Sequence, residues 1–367
     1  MKKTAFELPA ACNGELGAAG PYAAARTVEE WEERKRFIAG VISAKTGIDF
    51  GKRCDNTACV ITGELRRGAY SVENVYWQTL EHYYVAGNIF LPAVRTGKIP
   101  AVLLPHGHFK HGRFNEDSRR LAARLAGLGC AVFLYDMAGM GEDTATPHAD
   151  KYNNALQLHN SRRILDYISA RTDIDAGRVA VTGASGGGTQ AMMLTAFDSR
   201  IAASAPVCML SATFNGGCKC ESGLGYFSGR GYRTSHAEIA AMAAPRPMLV
   251  ISIGSDWTKT VPALEFPYLR RIYGLYSAQG AVENAHFADG EHDYCLVKRD
   301  AAVHFLARAL GFDPGAPEDP AAELPSIDEM KSYSPANPKP EGAWSKPKEL
   351  FRELIAYYQI PDKTSRG

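Results

Sequence analysis

The feature that most constrains this chain is a rhythm of short, nearly unbroken apolar runs at 101–104, 131–135, 179–182, 201–208, 248–253 and 282–288. Longer amphipathic segments at 118–128, 156–170, 187–197 and 264–278 lie between most of them. A strand that is apolar at almost every position has both faces covered, and intervening helices are what covers them. The pattern therefore predicts a mostly parallel central sheet with helices on both faces.

Before this rhythm begins, 75–80 and 83–91 are rich in aromatic and β-branched residues and predict an antiparallel strand pair. Residues 1–74 are expected to form a mainly helical extension, because Trp31, Phe37, Ile38 and Val41 recur at helical spacing among charges. The main domain is expected to span 75–312. Within it, 209–244 breaks the rhythm with many glycines and with Tyr226, Phe227 and Tyr232, which predicts a functional lid. Residues 313–367 read as a C-terminal surface extension rich in proline and lysine, with a last helix near 348–358.

Composition narrows the function classes. Lys and Arg total 41 against 40 Asp and Glu in 367 residues, so no basic excess points to a nucleic-acid or membrane-surface partner. No apolar run is long enough to span a bilayer. Met1-Lys2-Lys3 is not followed by an apolar stretch, so the expected location is the cytoplasm, or outside it if a leader has been removed. Of eight cysteines, Cys130 and Cys208 fall in apolar runs and read as core. Cys218-Lys219-Cys220 is a tight pair with no second Cys or His pair at zinc-site spacing after it, so free thiols are expected.

The most informative stretch is Val179-Ala180-Val181-Thr182-Gly183-Ala184-Ser185-Gly186-Gly187-Gly188-Thr189-Gln190. It holds Gly-x-Ser-x-Gly between an apolar strand and a helix. An incidental serine in a glycine-rich turn is the plainer alternative, but the strand-to-helix setting is the one a nucleophile elbow needs. The segment thus resembles the elbow of the α/β-hydrolases, in which the acid and then the histidine follow the serine along the chain. A serine hydroxyl needs a neighbouring base. His292, in the loop after the last apolar run, is the candidate; His286 falls inside that run and is expected to pack, and His304 sits in a helix pattern. Asp256 ends the run 248–253 through a Gly-Ser bend and is the candidate acid, with helix N-capping as its alternative role. Asp289 and Asp293 lie past the expected strand, and Asp136 is expected to shape a neighbouring loop. For the oxyanion, the backbone amides of Gly186 and His108 are the candidates, with Gly107 permitting close approach. His106, His108 and His111 could be read as a metal cluster, but no acidic group accompanies them, and neither a metal nor a cofactor is expected.

Taken together, Pro105-His106-Gly107-His108, Tyr135-Asp136, Gly139-Met140-Gly141-Glu142, the Ser185–Gln190 run, Asp198-Ser199-Arg200-Ile201-Ala202, Ala244-Pro245-Arg246-Pro247, Asp256 and His292-Asp293-Tyr294 resemble the acetylxylan-esterase-like branch of the α/β-hydrolases, relatives of dienelactone hydrolases and prolyl-oligopeptidase-type domains. The resemblance covers about residues 70–312. It implies a serine esterase with Ser185, Asp256 and His292 as triad, acting on a small-molecule or acylated carbohydrate ester. Two stretches, 216–220 and Trp257-Thr258-Lys259, depart from the family pattern and are expected near the pocket. Substrate contacts are expected from Gly107, Trp257, Tyr226, Phe227 and Tyr232. The alternatives are a peptidase or amidase on the same scaffold, against which no propeller-like repeat precedes the domain, and a catalytically silent binding protein of the same fold. Nothing in the sequence sets an oligomeric state.

Overall fold

The computed structural model describes residues 25–52, 57–229, 232–316, 318–319, 321–344 and 346–359. Cys12, Cys54 and the expectations for 1–24 lie outside them. In chain order the elements are α1 (Val28–Thr46), β1 (Cys59–Arg67), β2 (Tyr70–Leu80), β3 (Tyr83–Pro92), β4 (Ile99–Pro105), α2 (Glu116–Gly127), β5 (Ala131–Tyr135), α3 (Asn153–Ala170), β6 (Ile174–Ala184), α4 (Gly186–Phe197) and β7 (Ala203–Val207). The excursion that follows carries α5 (Lys219–Ser222), a two-strand ribbon of β8 (Ser228–Gly229) and β9 (Tyr232–Arg233), and α6 (His236–Ala241). The chain then forms β10 (Met248–Ile253), α7 (Glu265–Leu275), β11 (Val282–Phe287), α8 (Leu296–Leu310) and α9 (Pro347–Gln359).

Among the described residues nine strands make one sheet, in the order β1-β2-β3-β5-β4-β6-β7-β10-β11. From β5 to β11 every neighbouring pair is parallel; β1, β2 and β3 are antiparallel, and β3 meets β5 antiparallel. This is the mostly parallel sheet that the apolar rhythm predicted, in the α/β-hydrolase architecture that the resemblance implied.

The alternation of side chains explains why the central strands look apolar throughout. In β4 and β5, Ala101, Leu103, Ala131 and Phe133 point into one buried cluster, shared with Ile164 and Leu165 of α3 and Leu194 of α4. Val102, Leu104, Val132 and Leu134 point into the other, shared with Leu121 and Leu125 of α2 and Val303 and Leu306 of α8. A two-residue period with both faces covered leaves no polar position to mark it.

The boundary drawn at residue 74 does not hold. β1 and the first half of β2 lie in the stretch expected to be mainly helical. β1 is an edge strand, half exposed along its length, and Thr62, Glu64 and Arg66 dilute its apolar signal. The helix expected from the spacing of Trp31, Phe37, Ile38 and Val41 does form and runs on to Thr46, where Gly47 at φ 73° caps it. Its Trp31, Ile38 and Ile42 are buried. The C-terminal extension is tied to the body: Asn88 Nδ2 donates to Met330 O at 2.8 Å, and Asn74 Nδ2 donates to Glu329 O at 2.7 Å. α9 docks through Leu350, Leu354 and Tyr358, whose hydroxyl lies 3.1 Å from His159 Nδ1 on α3.

Candidate active site

β6 ends in a turn so tight that Ser185 sits at φ 57°, ψ −121°, a conformation costing a non-glycine residue roughly 1–3 kcal/mol. Two hydrogen bonds hold it there: Ser185 N–H donates to Val207 O at 2.9 Å, and Thr189 N–H donates to Ser185 O at 3.0 Å. The flanking glycines are sterically required. A Cβ on Gly183 or on Gly187 would lie inside van der Waals contact with the carbonyl oxygen of Pro105, at the end of the neighbouring strand β4. The serine therefore stands at the carboxyl edge of the sheet, against the N-terminus of α4, where the helix dipole favours negative charge.

Asp256 and His292 reach the same edge from β10 and β11. The loops carrying them are joined by Gly254 N–H to Phe287 O at 3.1 Å and by Ser255 Oγ to Gly290 O at 2.7 Å. Asp256 Oδ2 lies 2.6 Å from His292 Nδ1. Its other oxygen accepts from Thr258 N–H and Thr258 Oγ1, both at 2.6 Å, so the capping role and the imidazole-holding role belong to one carboxylate. Cys208, directly after the residue that anchors the serine amide, has its sulfur within 4.8 Å of the Asp256 and His292 donor atoms. Sequence read Cys208 only as core; it is buried, but it also places this pair beside the elbow. His292 keeps about 30 % of its side chain exposed, whereas Asp256 is buried.

The loop after β4 closes the third side. A Cβ on Gly107 would fall 3.0 Å from Ser185 Cβ, so glycine is what lets this loop touch Ser185. One on Gly186 would fall 2.8 Å from the His108 ring, so the residues carrying the two candidate oxyanion amides are in contact. His106 has a different task. Its Nδ1 lies 2.8 Å from Gly107 O, and its Nε2 accepts from Met137 N–H at 3.0 Å, which puts the proton on Nδ1. Burial pushes its pKa down to about 3, so it stays neutral and braces the loop.

His106, His108 and His111 are accordingly not assembled as a metal cluster. His108 instead faces His148, Cys218 and Cys220. No Cys or His pair follows Cys218-Lys219-Cys220 nearby in sequence, and both thiols are free; the histidines beside them in space come from 72 and 112 residues before Cys220. Asp136 does shape its loop: it accepts from Glu142 N–H at 2.8 Å and pairs with the fully buried Arg113.

The aromatic expectations divide. Trp257 lies beside the site, its ring 4.9 Å from that of His292. Tyr226 and Phe227 do not present a face to a ligand. Tyr226 is completely buried, with its hydroxyl on Asn154 Nδ2 at 3.1 Å, and Phe227 packs against it at 4.6 Å. Tyr232 is turned to α1, edge-on to Phe37 at 5.5 Å. Tyr226 and Phe227 fill the core beneath the excursion, because burying large rings gains more than exposing them, and Tyr232 packs half-buried against the edge of that core. Within this segment, Phe214 does reach the site, 4.2 Å from Trp257, as a residue that sequence analysis did not single out in the expected lid. His286 is corrected as well: β11 is the sheet edge, so this histidine is exposed, with Nδ1 2.9 Å from Ser252 Oγ.

Known proteins of this fold place the chain. It superposes on a methylesterase, BT1017, with a TM-score of 0.86 at 34 % identity, over 98 % of this chain and 81 % of that one. The chain belongs to the α/β-hydrolase superfamily, in a branch of esterases. Residues 100–213 of this hydrolase match the alpha/beta hydrolase fold family. YtaP of Bacillus subtilis (strain 168), named as a hydrolase, is 25 % identical over 251 residues, 60 % of this chain and 81 % of its own. An acetyl xylan esterase from Paenibacillus sp. R4 shares the fold at 16 % identity and a TM-score of 0.53, over 78 % of this hydrolase and 96 % of its own chain. Among the described residues, no helix is long and apolar enough to cross a membrane.

Proposed function

We propose that this hydrolase is a serine esterase that cleaves a carboxylic ester of a carbohydrate through an acyl-enzyme. The observation that carries the reading is the 2.6 Å contact between Asp256 and His292, held at the sheet edge where the strained Ser185 stands. With the proton of His292 kept on Nδ1 by Asp256, Nε2 is free to take the proton of Ser185 Oγ as it attacks the ester carbonyl. The amides of Gly186 and His108 receive the oxyanion. His292 then protonates the leaving alcohol, and water repeats the sequence to release the acid.

The similarity to a methylesterase along nearly the whole chain supports a methyl ester as substrate. On a carbohydrate, a methyl ester requires a sugar carboxyl group, so a methyl-esterified uronic acid is the favoured substrate. The sequence resemblance to acetylxylan esterases supports an acetylated sugar as the second reading. A screen of methyl-esterified uronides, acetylated sugars and peptide amides separates them by product: methanol, acetate or amine. A fluorophosphonate probe tests the common chemistry, because an activated serine is labelled and a silent binding protein is not. No labelling of the folded protein at Ser185 would sink the reading.

A further inference from the structure

Three loops at the carboxyl edge of the sheet bring four ligand-type side chains to one point. His108 comes from the loop after β4, His148 from the loop after β5, and Cys218 and Cys220 from the excursion after β7. Their donor atoms all lie within 4.8 Å of one another. Cys220 Sγ is 3.1 Å from His108 Nε2 and 3.3 Å from His148 Nε2. Around a tetrahedral zinc ion with bonds of about 2.0–2.3 Å, donor atoms sit roughly 3.3–3.8 Å apart, so small side-chain adjustments close the set.

The surroundings orient the ligands. His148 Nδ1 donates to Ala138 O at 2.8 Å, which leaves the Nε2 lone pair facing the thiols, the arrangement that metal-binding histidines use. The two imidazole rings meet at 65° with centroids 4.7 Å apart, as separate vertices rather than as a stack. The short helix α5 is fixed from below: Thr189 Oγ1 donates to Glu221 Oε1 at 2.7 Å, Asn154 Nδ2 to Glu221 O at 2.6 Å, and Gln157 Nε2 to Cys220 O at 3.3 Å.

We propose that His108, His148, Cys218 and Cys220 bind one zinc ion, which clasps the excursion after β7 to the loops after β4 and β5. Two neutral imidazoles and two thiols take up Zn²⁺, each thiol loses its proton to solvent, and the resulting site is uncharged, as a part-buried position requires. All four positions are filled by protein, so the ion is structural and leaves no vacancy for substrate. Its consequence for catalysis is positional: His108 is held by its ring while its amide faces the oxyanion. That consequence rests on the esterase reading, but the metal site does not.

The test is metal analysis of the full chain purified without chelators, followed by cobalt substitution. About one zinc per chain is expected. After zinc removal, Co²⁺ should give visible ligand-field bands of tetrahedral intensity with thiolate charge transfer in the near ultraviolet. His148→Gln and the double variant Cys218→Ser/Cys220→Ser should each lose the metal and the spectrum. Because such variants can misfold, the cobalt spectrum of the unmodified protein is read first. Wild-type protein that takes up neither zinc nor cobalt after incubation and buffer exchange overturns the proposal, as does a Cys218–Cys220 disulfide in the purified chain. Equal metal content in the double variant overturns it too. Failure of the esterase reading would appear separately, as zinc-loaded protein that neither reacts with a fluorophosphonate nor hydrolyses esters.

Discussion

Asp256 divides its carboxylate between two partners, one oxygen 2.6 Å from His292 Nδ1 and the other 2.6 Å from both the amide and the hydroxyl of Thr258. The second set locks the rotamer that makes the first possible. In Asp256→Asn, the oxygen stays with Thr258 and the NH2 turns to His292. An NH2 group there forces Nδ1 to accept, moves the imidazole proton to Nε2, and removes the base. A fall in kcat on the order of 10⁴-fold is expected with little change in Tm. Activity within tenfold of wild type would show that Asp256 does not set the tautomer.

Ser185→Ala should abolish ester hydrolysis to roughly a thousandth of the original rate or less while leaving the protein folded, because alanine keeps the Cβ and meets the same backbone conformation at φ 57°. Gly187→Ala should lose activity by another route, since its methyl group meets Pro105 O. Circular dichroism and Tm separate them: Ser185→Ala melts close to wild type, and Gly187→Ala melts lower. A fully active Ser185→Ala protein removes the nucleophile.

Substitutions among the aromatics should split by location. Trp257→Ala, beside His292, and Phe214→Ala, 4.2 Å from Trp257, should alter kcat/KM unequally between bulky and small esters. Tyr226→Ala and Phe227→Ala should instead lower stability by about 3–5 kcal/mol, the cost of emptying a buried aromatic site. Denaturant titrations beside kinetics on two esters decide this; a specificity change confined to Tyr226→Ala would reverse the assignment.

His159 gives a pH prediction. Burial, opposed by its contact with Thr79 O and reinforced by Arg163 and Arg162, pushes its pKa down from 6.5 to about 3. The unfolded chain therefore takes up a proton that the folded chain refuses. The stabilisation is complete above pH 6.5 and is lost as pH falls towards 3, at about 1.4 kcal/mol per pH unit. Asp136 works in the opposite sense, since burial raises it to about 6, and a comparison at fixed Asp136 cancels it. His159→Gln should be less stable than wild type at pH 7 but lose less stability between pH 7 and pH 5. Parallel urea midpoints across that range would show that His159 is protonated in the folded state.

What the sequence determined by itself is whatever chemistry stays local to a strand and the turn that ends it. The apolar runs of β4 to β11 were legible because two buried faces leave a continuous signal, and Ser185 was legible because its elbow requires Gly183 and Gly187 within two residues. Asp256 and His292 were singled out from strand ends and chain order, and the structure sets them 2.6 Å apart. The edge strand β1 was missed because half of it faces solvent and its composition resembles a polar helix. Tertiary structure alone decided which aromatics of 209–244 are core and which reach the site, since the same ring burial can be met under the excursion or above the serine. It alone brought His108 and His148 to Cys220, across 112 and 72 residues of chain. Side chains on separate loops meet only when parallel strands align their carboxyl ends, and no local spacing encodes that meeting.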